Sequence, residues 1–121
     1  MIENGKKNWI FTDGDLPPAG TSEPFGHEAL MITNVNKEQA EITIDILFED
    51  KEPYKGIKIY LSGERVTCIR LDKPFGESEY KIPFGQYSLV LHSSIPVVAS
   101  FGRLDVRQAN LSYYSVQGYS Y

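Results

Sequence analysis

Residues 95–108 run from an apolar strand straight into charge: Ile95, Pro96, Val97, Val98, Ala99, Ser100, Phe101 and Gly102, followed by Arg103, Leu104, Asp105, Val106, Arg107 and Gln108. Successive side chains of an extended chain point to opposite faces, so Arg103, Asp105 and Arg107 would share one face while Leu104 and Val106 share the other. A guanidinium fork matches a carboxylate in a planar, two-bond geometry. Asp105 could therefore be held between its neighbours with donors left over. Such an Arg-Asp-Arg face is either glue at an interface or the floor of a polar site. Gly102, just ahead of it, marks a bulge or a close approach of backbone.

Other candidates are sparser. His27 and Glu28 are adjacent, and adjacent residues on a strand point apart, so one site uses both only across a bulge. His27 follows a proline-rich loop that could wall a cleft, leaving contact with a ligand and a structural role both open. His92 reads as a histidine that fixes a loop by hydrogen bonds to backbone, with a two-histidine metal site as the alternative. Trp9 reads as a core anchor, although tryptophan also serves sugar-stacking and protein-contact surfaces. Nucleophilic catalysis finds no support: there is no Gly-x-Ser-x-Gly elbow, and Cys68 has no base near it in sequence. No carboxylate pair stands out among the 16 acids, and no phosphate-cradling loop is present. Neither a metal nor another cofactor is expected.

Composition bounds these readings. A chain of 121 residues forms one domain that buries roughly two thirds of its unfolded surface. The net charge of −4 and a pI near 5.1 lack the basic stripe that nucleic-acid binding requires. A single cysteine excludes an intrachain disulfide and a thiolate zinc set and fits a reducing compartment, with Cys68 expected as a small core hydrophobe. With no signal segment and no apolar run near the ~18 residues that span a bilayer, a cytoplasmic protein is expected.

The elements that must position these residues read as strands. Residues 7–12 read as the first strand, with Trp9 and Phe11 alternating against Asn8 and Ile10. Residues 13–24 hold Gly14, Pro17, Pro18, Gly20 and Pro24 and form a loop, long enough to suggest a function. Residues 26–34 follow as a strand apolar on both faces, expected to be covered on both. The clearest alternation places Ile42, Ile44, Ile46 and Phe48 on one face, contributing roughly 6 to 12 kcal/mol of transfer free energy before entropy. Ile57, Ile59 and Leu61, then Ser62-Gly63-Glu64, then residues 66–71 read as a hairpin. Residues 72–83 are irregular. Tyr87, Leu89 and Leu91 start another strand, residues 93–96 turn it, and residues 97–105 return. A final edge strand is expected from Leu111 to Gly118. No window holds helical apolar spacing for ten residues. Seven to nine short strands predict an all-β, jelly-roll-like antiparallel β-sandwich without a long helix.

Taken together, Trp9, the proline-rich loop, Phe25-x-His27-Glu28 leading into Ile32-x-Asn34, Ala40-x-Ile42-Thr43-Ile44, Phe48-x-Asp50-x-Glu52-Pro53, Ile95-Pro96-Val97-Val98 and Arg103-Leu-Asp105-x-Arg107-Gln108 resemble the sensory rhodopsin transducer family over nearly the whole chain. The resemblance implies a cytoplasmic β-sandwich assembled as a homotetramer. It also implies either coupling to a membrane photoreceptor or, in relatives without one, binding of a polar small molecule such as a sugar. The family's polar signature falls on His27, Glu28, Arg103, Asp105, Arg107 and Gln108, with Trp9 beside it. On the ligand reading, both arginines donate to ligand oxygens, Asp105 orients them, Glu28 accepts from a hydroxyl and Trp9 offers a flat apolar face. On the receptor reading, exposed loops such as residues 13–24 dock on the receptor's cytoplasmic face. A third reading makes the Arg-Asp-Arg ladder structural, at a subunit interface.

Overall fold

A computed structural model describes residues 5–107 and 111–121. Eight strands follow one another: β1 (Lys6–Asp15), β2 (His27–Asn34), β3 (Ala40–Phe48), β4 (Tyr54–Leu61), β5 (Arg65–Arg70), β6 (Gln86–Asp105), β7 (Ser112–Val116) and β8 (Tyr119–Ser120). One sheet has the order β4-β3-β6-β1-β8; the other has β5-β2-β6-β7, and every pairing is antiparallel. The expected jelly-roll-like β-sandwich is what forms, with no helix among the described residues.

Its centre is the β3 alternation. Ile42, Ile44 and Ile46 are fully buried in one cluster with Leu89 and Leu91 of the neighbouring strand β6 and with Leu30 and Ile32 of β2 in the other sheet, because period-two spacing puts one face of each strand against the other sheet. Trp9, Phe11 and Phe101 stack along the same core, with ring centroids 6.2 and 6.1 Å apart for successive pairs.

β6 belongs to both sheets. Its first half pairs with β1 and β3, its second half with β2 and β7. A turn was expected at residues 93–96; the structure keeps these residues in one continuous strand, which folds over as it passes between sheets. The fold-over follows from its ends: Tyr87 and Arg103 would lie roughly 50 Å apart along a straight strand, yet both reach the Glu28 carboxylate, at 2.6 and 2.7 Å. Asn36 holds the bend by donating to the Pro96 carbonyl at 2.6 Å.

Three further expectations are corrected. β4 and β5 do not form a hairpin: β4 pairs with β3 and β5 with β2, so the connection at residues 62–64 crosses between the sheets. Local turn chemistry specified a tight connection but not the partner of each strand. Cys68 is exposed, because β5 is an edge strand whose outer face meets solvent. β2 is likewise less covered than its composition suggested, with Met31 and Thr33 only half-buried on the outer face. Among the described residues, no helix is long and apolar enough to cross a membrane.

Candidate functional site

The charged end of β6 lies beyond the core, at the mouth of the sandwich. Parity explains this: Phe101 and Leu30 are opposite one another and face the core, so Arg103 and its opposite residue Glu28 face the same way two residues later. Tyr114 and Ser112 of β7 stand opposite Arg103 and Asp105. Arg103, Asp105, Arg107, Ser112 and Tyr114 thus line an open groove of about 530 Å³. A neighbouring hollow of about 320 Å³ shares Arg107 and is walled by Val106, Leu111 and residues 20–24. The proline-rich loop therefore does form one wall of a cleft, beside Arg107.

Beneath the groove sits Glu28, fully buried. Its carboxylate accepts from the Tyr87 hydroxyl at 2.6 Å, from Arg103 Nε at 2.7 Å and from the Asp15 backbone N–H at 3.1 Å to each oxygen. An ionised carboxylate is tolerated at such depth only with a cation and several donors, and these four bonds supply both. Tyr87 can reach because Gly14 gives way to it: a Cβ on Gly14 would stand 2.4 Å from the Tyr87 ring. Burial, followed by the Glu28 charge, pushes the Tyr87 phenol far above its ordinary pKa, so it remains a donor.

Arg103 spans the network and the groove. Nε binds Glu28, Nη2 donates to the Asp13 carbonyl at 2.8 Å, and the guanidinium lies 5.2 Å from the Tyr114 ring centre. Burial disfavours its charge, but the bond to Glu28 and the Glu28 charge outweigh this and raise its pKa. The expected ladder is therefore broken at one rung: Arg103 turns inward to Glu28, and among the described residues Asp105 is held by Arg107 alone. Arg107 Nε donates to both Asp105 oxygens at 3.0 Å, Nη2 donates to Oδ2, and the Arg107 N–H adds a backbone bond at 3.0 Å. The side-chain bond first, then the backbone bond, lowers the Asp105 pKa to about 2. Arg107 is exposed and Asp105 half-buried, and an ion pair open to solvent contributes little to stability.

The remaining sequence candidates lie elsewhere. Glu28 offers no oxygen to a ligand hydroxyl, being sealed under Arg103. Trp9 is 3% exposed within the core, with Nε1 donating to the carbonyls of Lys6 and Val97 at 3.1 and 3.2 Å; it presents no face to solvent. His27 stands opposite Leu104, hence on the outer face of its sheet, away from Arg103. Its Nδ1 is 2.9 Å from the Phe25 carbonyl. His92 bonds the Asn8 side chain of the next strand rather than loop backbone. It sits close to the bend of β6 while His27 sits near the far end, a separation of roughly 20 Å by strand rise, and no cluster of metal-ligating groups occurs among the described residues. Gln108 lies outside the described residues. Gly102 is a close approach, as expected, with the Tyr113 hydroxyl 2.2 Å from where its Cβ would be.

The family described as Anabaena sensory rhodopsin transducer matches residues 4–120. This chain belongs to that family. Among solved structures, the crystal structure of Thermotoga maritima 1070 superposes with a TM-score of 0.86 at 33% identity, covering 98% of this chain and 97% of that one. Anabaena sensory rhodopsin transducer superposes with a TM-score of 0.73 at 30% identity, over 89% of this chain and 96% of that one. No curated protein matches. Within this transducer-family chain, sequence reasoning missed Tyr87, Asp15, Ser112 and Tyr114 as members of the polar end. Tyr87 carried a signal only for burial; its hydroxyl partner lies 59 positions away in sequence.

Proposed function

We propose that this transducer-family protein is a non-enzymatic module that binds a polar, uncharged small molecule of the sugar class in the groove between β6 and β7, working as a cytoplasmic homotetramer. The observation that carries the reading is the double use of Arg103, which lines the groove while fixed from behind by Glu28 and Asp13. Each arginine already has a carboxylate partner, so the groove offers donors and acceptors with little net charge, a match for hydroxyls rather than for a dianion. Tyr114 supplies the aromatic wall that the sequence reading had assigned to Trp9. Gln108 remains a proposed contact beside Arg107.

Calorimetric titration with a panel of sugars and related metabolites tests this reading. A compound binding tighter than millimolar, weakened at least tenfold by Arg107→Ala and by Tyr114→Ala, is expected. A panel without such a compound, or binding indifferent to both substitutions, overturns the assignment. Light scattering tests the tetramer.

A second reading, docking on a membrane receptor, is favoured by the similarity to a protein named a sensory rhodopsin transducer and by Phe25 and Phe84, 42% and 75% exposed on loops. Retention on membranes carrying a receptor, lost in Phe25→Ser or Phe84→Ser, supports it; recovery only in the soluble fraction counts against it.

A further inference from the structure

We infer that Arg103 couples occupancy of the groove to the loop formed by residues 16–26, with Glu28 and Tyr87 as the positioning residues that make the coupling two-sided. This rests on reading the groove as the binding site and adds the route by which occupancy leaves it.

The loop has two flanks, the end of β1 and the start of β2, and the guanidinium holds both. On the first flank, Nη2 donates to the Asp13 carbonyl at 2.8 Å. On the second, Nε donates to Glu28 at 2.7 Å. Glu28 then ties the flanks to each other by accepting the Asp15 N–H, and it is fixed in turn by the Tyr87 hydroxyl at 2.6 Å. Inside the loop, the Gly26 N–H donates to the Ala19 carbonyl at 2.8 Å, and a Cβ on Gly26 would stand 2.3 Å from the Pro18 carbonyl oxygen, so the base is tightly closed. Beyond that base, residues 18–25 are exposed.

A ligand drawing the guanidinium toward the groove lengthens the contacts to Asp13 and Glu28 together. The cation cannot leave Glu28 cheaply, because a buried carboxylate without it is strongly penalised. The coupling thus sets the closed arrangement, with Arg103 seated, against a loosened one with Arg103 withdrawn, and requires that a ligand shift their balance in proportion to its preference for one. Tyr87 does not line the groove; it fixes Glu28, so that Arg103 and the Asp15 N–H seat on one stationary carboxylate.

Hydrogen exchange on the full chain, with no ligand present, tests the coupling. The reporter is the Gly26 amide, which bonds to no member of the network, and the reference is Ile44 in the middle of β3. Arg103→Gln is expected to speed Gly26 exchange at least tenfold relative to Ile44, and Tyr87→Phe, which preserves the ring, to speed it by a smaller factor. Ile42→Val, a core change opposite Ser93 and six residues along β6 from Tyr87, is expected to move both amides alike. Gly26 exchange unchanged in both network variants, or raised by no more than at Ile44, overturns the inference. Should Arg103→Gln fail to fold, Tyr87→Phe decides alone. Because nothing is bound, a titration panel in which no compound binds would refute the site while leaving this result to stand or fall separately.

Discussion

Tyr87→Phe removes one oxygen and nothing else from the buried end of the sandwich. The ring stays where Gly14 leaves space for it, so no cavity opens and the loss is confined to one hydrogen bond of 2.6 Å to the fully buried carboxylate of Glu28. Bonds to charged groups contribute about 1.5 to 3 kcal/mol, and this one ends on a carboxylate buried away from solvent. We expect urea denaturation to show a loss of that size at unchanged slope, and the melting temperature to drop by about 6 to 12 °C for a chain of this length. The pH dependence gives a second reading. The folded-state pKa of Tyr87 is raised by burial and by Glu28, so its contribution is complete below the unfolded value near 10 and is lost as pH climbs above it. Wild-type protein should therefore lose about 1.4 kcal/mol per pH unit above roughly pH 10 in excess of the Phe variant. A loss under about 0.5 kcal/mol at pH 7, or parallel alkaline profiles for the two proteins, would show that Glu28 does not depend on this hydroxyl.

Gly14→Ala should destabilise by about 1 to 3 kcal/mol in the same denaturation assay, because the new methyl meets the buried Tyr87 ring at 2.4 Å and that ring has nowhere to go. Gly102→Ala meets the Tyr113 hydroxyl at a similarly short 2.2 Å, but Tyr113 is an exposed side chain that swings aside; a change of about 1 kcal/mol or less is expected, and a larger one would mean that Tyr113 is pinned in an assembly. Asp105→Ala should leave the molecular mass in light scattering unaltered, whereas dissociation would identify the Asp105 and Arg107 pair as an interface contact. With its pKa lowered to about 2 by Arg107, Asp105 adds stability that is present above pH ~4 and fades as pH falls toward 2. Asp105→Asn should accordingly differ from wild type above that window and converge with it below, when followed by acid unfolding.

The fold was readable because period-two alternation is a local signal. Ile42, Ile44 and Ile46, or Trp9 and Phe11, announce their buried face without reference to any partner, and the family resemblance ran over nearly all of the chain. Pairing between strands is not local. Residues 62–64 looked like a hairpin turn since their chemistry is that of a tight connection, yet the strands on either side joined different sheets. The charged cluster at Arg103, Asp105 and Arg107 was found from spacing alone, and its parity was right. What spacing could not show was that a stronger partner for Arg103 waited across the sheet at Glu28, 75 positions earlier. The same pleat that aligned Glu28 with Arg103 turned His27 outward, so two neighbours in sequence parted company in space.

The fold-over of β6 constrains how the sandwich can move. A single strand serves as the spine of both sheets, with its crease fastened by Asn36 and its two free margins meeting at one carboxylate. Sliding one leaf over the other would tear the ladder hydrogen bonds on both sides of the crease, whereas parting the leaves a little at the opposite margin falls first on the contacts around Glu28. The soft motion of this protein is therefore a slight opening, like a book about its binding, and the pages part at the margin where Arg103 stands.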